Sequence, residues 1–125
     1  MISGAHFLLY SSDADADRAF LREVFGWDSV DGGGGWPIFA LPPGEFAVHP
    51  SNDKSPSKTE DGNAAVAVYL MCDDLRSTLK SMEANKVRVS PITEQRWGIV
   101  TSFTLPSGAQ VGLYQPKHPT AIKRR

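Results

Sequence analysis

Two histidines and two tyrosines stand on short apolar runs, where hydrogen-bonding or acid–base chemistry would need them. His6 and Tyr10 share one run, His49 ends a second and Tyr114 lies on a third. Neutral imidazole and phenol each donate and accept a hydrogen bond, so facing groups of these types can hold a polar ligand or exchange a proton with it. Strand alternation extends the set. If His6 faces a concave surface, so do Leu8 and Tyr10, with Val66, Val68 and Leu70 on the aligned run. Ala47 then joins His49, and Gly112 joins Tyr114. The expected lining is an apolar wall with a few polar points, the usual composition of a small-molecule pocket. Trp97, directly before Gly98, would wall it, and the small residues Ala47 and Gly112 leave room beside it.

The plainer alternative is a satisfied core. A histidine on an apolar strand is more often a hydrogen-bonded structural residue than a catalyst. Tryptophan serves equally as core or interface filler. Finding two histidines and a tyrosine at positions of the same parity is what favours a site.

Other residue groups carry less. Gly32, Gly33, Gly34 and Gly35 are followed by no Gly-Lys-Ser/Thr sequence opening a helix, so they read as a flexible turn and not as a phosphate cradle. Cys72 precedes Asp73 and Asp74, whose charges disfavour a thiolate nucleophile. Asp13, Asp15 and Asp17 lack the glycine and distal glutamate of a calcium loop and fit the start of a helix, where acids offset the dipole.

The elements that must position these side chains are readable in order. Residues 6–10 form a strand. A helix over 13–25 follows, with Phe20, Leu21, Val24 and Phe25 on its apolar side and Gly26 as its stop. Residues 27–30 form a strand, and 36–41 and 45–49 form a hairpin around Pro42, Pro43 and Gly44. A polar loop, 50–63, precedes a second round. That round has a strand over 65–71, a helix over 74–84 with Leu75, Leu79 and Met82 on one face, and a strand over 87–89. The hairpin 98–105 and 110–114 closes it, around Pro106, Ser107 and Gly108. The halves also match in sequence, since Phe39-Ala40-Leu41-Pro42-Pro43-Gly44 aligns with Phe103-Thr104-Leu105-Pro106-Ser107-Gly108. We therefore expect one α+β domain of two βαβββ half-repeats, about 4–49 and 64–115, with linker 50–63 and a frayed basic tail 116–125.

Composition bounds the partners. A chain of 125 residues, with 41% hydrophobic and 22% charged residues, fits a single folded domain. A net charge of −1 gives no reason to expect nucleic acid or an anionic membrane. One cysteine rules out an internal disulfide framework and suits a reducing compartment. No apolar run reaches transmembrane length, and the first residues lack a signal-peptide pattern, so cytoplasm is the expected location.

Paired βαβββ units of this size, with the run from Ala5 to Tyr10, the helix through Phe20 to Gly26-Trp27, the Tyr69 to Leu75 segment, Arg96-Trp97-Gly98 and the Leu105-Pro106-Ser107-Gly108 turn, resemble the vicinal oxygen chelate superfamily. Its members include glyoxalase I, extradiol dioxygenases and bleomycin-resistance proteins. The resemblance covers nearly the whole chain and implies curved mixed sheets around a cavity, and a homodimer. It places divalent-metal ligands at His6, Ala47, Val66 and Gly112, of which only His6 can coordinate. His49 is the nearest second ligand, and no cofactor is expected. The expected function is binding of a small, largely apolar or aromatic molecule by His6, Tyr10, His49, Val68, Trp97 and Tyr114. The alternatives are a lyase, isomerase or dioxygenase-like enzyme using His6 and His49, and a protein with a collapsed cavity whose role is assembly.

Overall fold

The computed structural model describes residues 6–122. The opening residues 1–5 and the tail's Lys123, Arg124 and Arg125 lie outside the described residues. Helix α1 (Ala14–Glu23) begins at Asp13, whose carboxylate accepts the Ala16 N–H at 3.2 Å. It ends where Gly26 takes a left-handed φ of 68° and lets the Trp27 N–H return to the Leu21 carbonyl at 3.3 Å. Two short strands follow, β1 (Ser29–Asp31) and β2 (Pro37–Phe39), paired antiparallel. The glycine segment between them is a turn: the Asp31 carboxylate accepts the N–H groups of Gly33 (2.7 Å) and Gly35 (3.2 Å).

The second half is more regular. It runs β3 (Tyr69–Met71), α2 (Leu75–Ala84), β4 (Arg88–Val89), β5 (Thr93–Gln95), β6 (Gly98–Thr104) and β7 (Gln110–Pro116). Asp74 caps α2 by accepting the Ser77 N–H at 3.2 Å, and Asn85 stops it. β3 lies parallel to β7, β7 antiparallel to β6, and both β4 and β5 pair with β6. β4 and β5 are one strand interrupted at Pro91, which has no N–H to give to a ladder. This half is thus βαβββ with a broken middle strand, and the whole is an α+β fold.

The core lies between the helices and one face of the five-stranded sheet. Leu75, Met82, Phe103, Leu105 and Leu113 are buried there, with Phe20, Phe25, Leu70 and Leu79 packed against them. Phe103 is the meeting point of the halves, stacked on Phe20 at 6.0 Å and edge-on to Phe25 at 5.5 Å. Asp17 reinforces that junction. The residue is 4% exposed, and its carboxylate accepts the Ser107 N–H (3.0 Å) and hydroxyl (2.7 Å) across the halves. Burial pushes this carboxyl up, but the hydrogen bonds from the Ser107 and Ser11 hydroxyls and the Ser107 amide outweigh it and hold the group below its ordinary value. Asp17 is therefore a buried clamp and not merely a dipole-compensating charge.

Several elements differ from the expected ones. Residues 6–10, 45–49 and 65–68 form no ladder strand, and residues 93–95 form an unexpected one. The first-half hairpin closes through the glycine turn, pairing 29–31 with 37–39. Pro42, Pro43 and Pro50 remove donors around 45–49, and the Asp31 carboxylate fixes the earlier turn instead. Phe7, Leu8, Leu9, Phe46 and Val48 are consequently exposed. No helix among the described residues is long and apolar enough to cross a membrane.

Candidate functional site

The face of the five-stranded sheet opposite the core carries an aromatic group. Cross-strand register puts Tyr69 beside Gly112, and Met71 and Val100 beside Tyr114, all on this face. The rings of Tyr69, Trp97 and Tyr114 meet edge to face in all three pairings, with centroids 6.0, 6.0 and 5.3 Å apart. Two glycines make this possible. A Cβ at Gly112 would collide with the Tyr69 ring, and one at Gly98 would lie 2.9 Å from Tyr114 Cδ2 and 2.8 Å from the Gln115 carbonyl. Tyr114 is 8% exposed, whereas Tyr69 and Trp97 keep 49% and 41% of their surface. The group is anchored at its base and open at its edge.

A polar chain continues from Tyr114. Its hydroxyl lies 3.0 Å from His118 Nε2, and the two rings stack at 5.9 Å. His118 Nδ1 lies 2.8 Å from the Pro119 carbonyl, and Nε2 lies 3.9 Å from Glu45 Oε1. Glu45 Oε2 accepts the Ala121 N–H at 2.7 Å, which ties the end of the chain to the first half. Burial, helped by the Glu45 carboxylate, pushes the Tyr114 phenol up, so it is a neutral hydroxyl near pH 7. Cys72 is also pushed up, first by burial and then by Asp73 and Asp74 against a hydrogen bond from Thr78, and it stays a thiol.

Of the six residues expected at the site, Trp97 and Tyr114 are brought together. Val68 is half-exposed and gives its carbonyl to the Gly112 N–H at 3.0 Å. His6, Tyr10 and His49 are exposed, Tyr10 at 85%, on segments that are not strands. The expected parity of the 65–71 segment is off by one. Leu70 points into the core, and Tyr69 takes the face shared with Tyr114. The expected frayed tail is also corrected as far as residue 122. β7 runs to Pro116, the Lys117 N–H bonds the Trp97 carbonyl at 2.9 Å, and His118 and Ala121 make the contacts above. Sequence reasoning missed Tyr69, His118 and Glu45. A glycine opposite an aromatic residue was the available signal for the first, and nothing local marks the other two.

The residues do not fit the divalent metal that the resemblance implies. Ala47, Val66 and Gly112 offer no donor atom, and the Tyr69 ring covers the place a side chain at 112 would fill. Among the described residues no group of three or more His, Cys, Asp or Glu could hold an ion. A separate concavity of ≈ 390 Å³, lined by Phe20, Lys86, Val87, Arg88, Leu105 and neighbours, lies away from the aromatic group and pairs no acid with a base.

An α+β domain built this way is that of the glyoxalase-like proteins. Residues 4–113 match the family model of the Glyoxalase/Bleomycin resistance protein/Dioxygenase superfamily, and the chain belongs to that superfamily. Among solved structures, it is similar to TnmS3, an antibiotic binding protein from Streptomyces sp. CB03234, at 20% identity and a TM-score of 0.59, covering 93% of this chain and 98% of that one. It is similar to lactoylglutathione lyase from Agrobacterium tumefaciens at 20% identity and a TM-score of 0.55, covering 90% and 92%. It is also similar to the fosfomycin resistance protein FosX from Listeria monocytogenes, at 16% identity and a TM-score of 0.58, covering 94% and 96%. No curated protein matches the sequence significantly.

Proposed function

We propose that this protein binds a small, largely apolar or aromatic molecule without a metal, and that Tyr69, Trp97 and Tyr114 contact it. The observation that carries this reading is the open edge of three mutually edge-to-face rings on one sheet face. Such an edge offers a planar ligand apolar area and ring contacts at little entropic cost. The fold shared with an antibiotic binding protein is consistent with it. The protein would act as a homodimer in the cytoplasm. Residues 6–10 and 45–49 carry exposed apolar side chains without ladder partners among the described residues, and a second copy is the simplest cover for them. Equilibrium dialysis with fluorenone, a planar neutral ketone, tests the ligand reading. Trp97→Ala should weaken binding about tenfold, the worth of one good ring contact. Unchanged affinity in that variant would refute it.

A second reading, an enzyme, is favoured by one contact: the Tyr114 hydroxyl and His118 Nε2 form an acid–base couple at 3.0 Å. Turnover abolished by His118→Ala with binding retained would select it.

A further inference from the structure

Resting on the ligand reading above, we infer that the occupant presents an oxygen acceptor, and that His118 decides when Tyr114 can donate a hydrogen bond to it. The tautomer of His118 follows from its partners. The Pro119 carbonyl, 2.8 Å from Nδ1, can only accept, so Nδ1 carries a hydrogen in both charge states. In the neutral ring Nε2 is therefore a bare lone pair, and it takes the Tyr114 hydroxyl hydrogen across 3.0 Å. A phenol has one hydrogen to give, so the neutral state leaves none for a ligand.

Protonation reverses this contact. Nε2–H then donates to the Tyr114 oxygen, and the Glu45 carboxylate lies 3.9 Å from the same nitrogen. The Ala121 N–H holds that carboxylate in place from its other oxygen. Lys117, the neighbour of His118 in sequence, is paired with Glu94. Tyr114 itself stays a neutral phenol, and its hydrogen is freed to turn away from His118. A planar ligand against Trp97 and Tyr69 would meet that hydrogen with a carbonyl or a similar bare oxygen. Histidine is the side chain whose charge changes near neutral pH, so such a ligand should bind together with a proton.

Fluorenone and fluorene differ by that one acceptor, and neither titrates. Equilibrium dialysis should find fluorenone bound about fivefold more tightly at about pH 5.5 than at about pH 8, the worth of one net hydrogen bond, and fluorene unchanged. Tyr114→Phe and His118→Ala should each abolish the difference. Nitrogen chemical shifts of His118 give a readout free of any ligand: the neutral ring should carry its hydrogen on Nδ1. A hydrogen on Nε2 would overturn the inference, as would an equal pH response of the two probes. If Trp97→Ala leaves both affinities unchanged, the aromatic site fails and the inference falls with it, while the tautomer measurement tells the two failures apart.

Discussion

Replacing Asp17 by Asn tests the junction between the halves with almost no change in shape. The carboxylate is buried and accepts two hydrogen bonds from Ser107, at 3.0 and 2.7 Å, so α1 of the first half is tied to the β6–β7 turn of the second. Hydrogen bonds to a charged group contribute about 1.5–3 kcal/mol each, and an amide can still accept one of the two. The expected loss at about pH 7 is therefore roughly 2 kcal/mol, read as a lower urea midpoint at constant slope. The sign of the pH dependence follows from the depressed pKa of the folded state. Between that value and the ordinary carboxylate value the unfolded chain binds more protons, so stability rises with pH through this window. The contribution is fully present above the ordinary value and lost as pH falls through the folded one. Wild type and Asp17→Asn should thus differ at neutral pH and converge in acid, where a protonated Asp17 resembles the amide. A gap of the same size at neutral and acid pH would refute the reasoning.

Two further outcomes follow from the geometry. Gly112→Ala should cost about 1–3 kcal/mol, because its Cβ would collide with the Tyr69 ring, and most of that cost should vanish in a Tyr69→Ala background; denaturant unfolding of the four proteins in the cycle checks it, and equal costs in both backgrounds would show that the ring is not the obstacle. Sedimentation at micromolar concentration should find a dimer, and a monomer there would remove the proposed cover for residues 6–10 and 45–49.

The two helices were legible because each carries its own punctuation. Asp13 and Asp74 cap them, Gly26 and Asn85 stop them, and the apolar spacing of Phe20, Leu75, Leu79 and Met82 needs no distant partner to be read. The closing hairpin was legible for a similar reason, since Pro106, Ser107 and Gly108 separate two long apolar runs. Strands 6–10 and 45–49 were predicted from the same kind of run, but a strand exists only through its neighbour, and the described chain supplies these segments with none. Periodicity tells which residues are apolar, and it does not say who pairs with them.

The site was harder to read for a reason that lies in parity. Alternation fixes which residues of a strand share a face, but an outside constraint must decide which face is which. On residues 65–71 the expected cavity face carried Val66, Val68 and Leu70, by alignment with the run from His6. The operative anchor is Leu70, held by the core that Leu75, Leu79 and Leu113 build around α2. That demand turns Tyr69 onto the other face. Gly112 is the sequence trace of this arrangement, because only a residue without a Cβ admits a ring over its backbone. Gly98 makes the same allowance for Tyr114 on the neighbouring strand. The room that Gly112 suggested for a ligand is thus already occupied by the Tyr69 ring, and any ligand must meet the outer edges of the aromatic group. The same logic explains why His118 was invisible. Its contact with Glu45 joins positions far apart in sequence, and it sits on a segment whose placement no local pattern encodes.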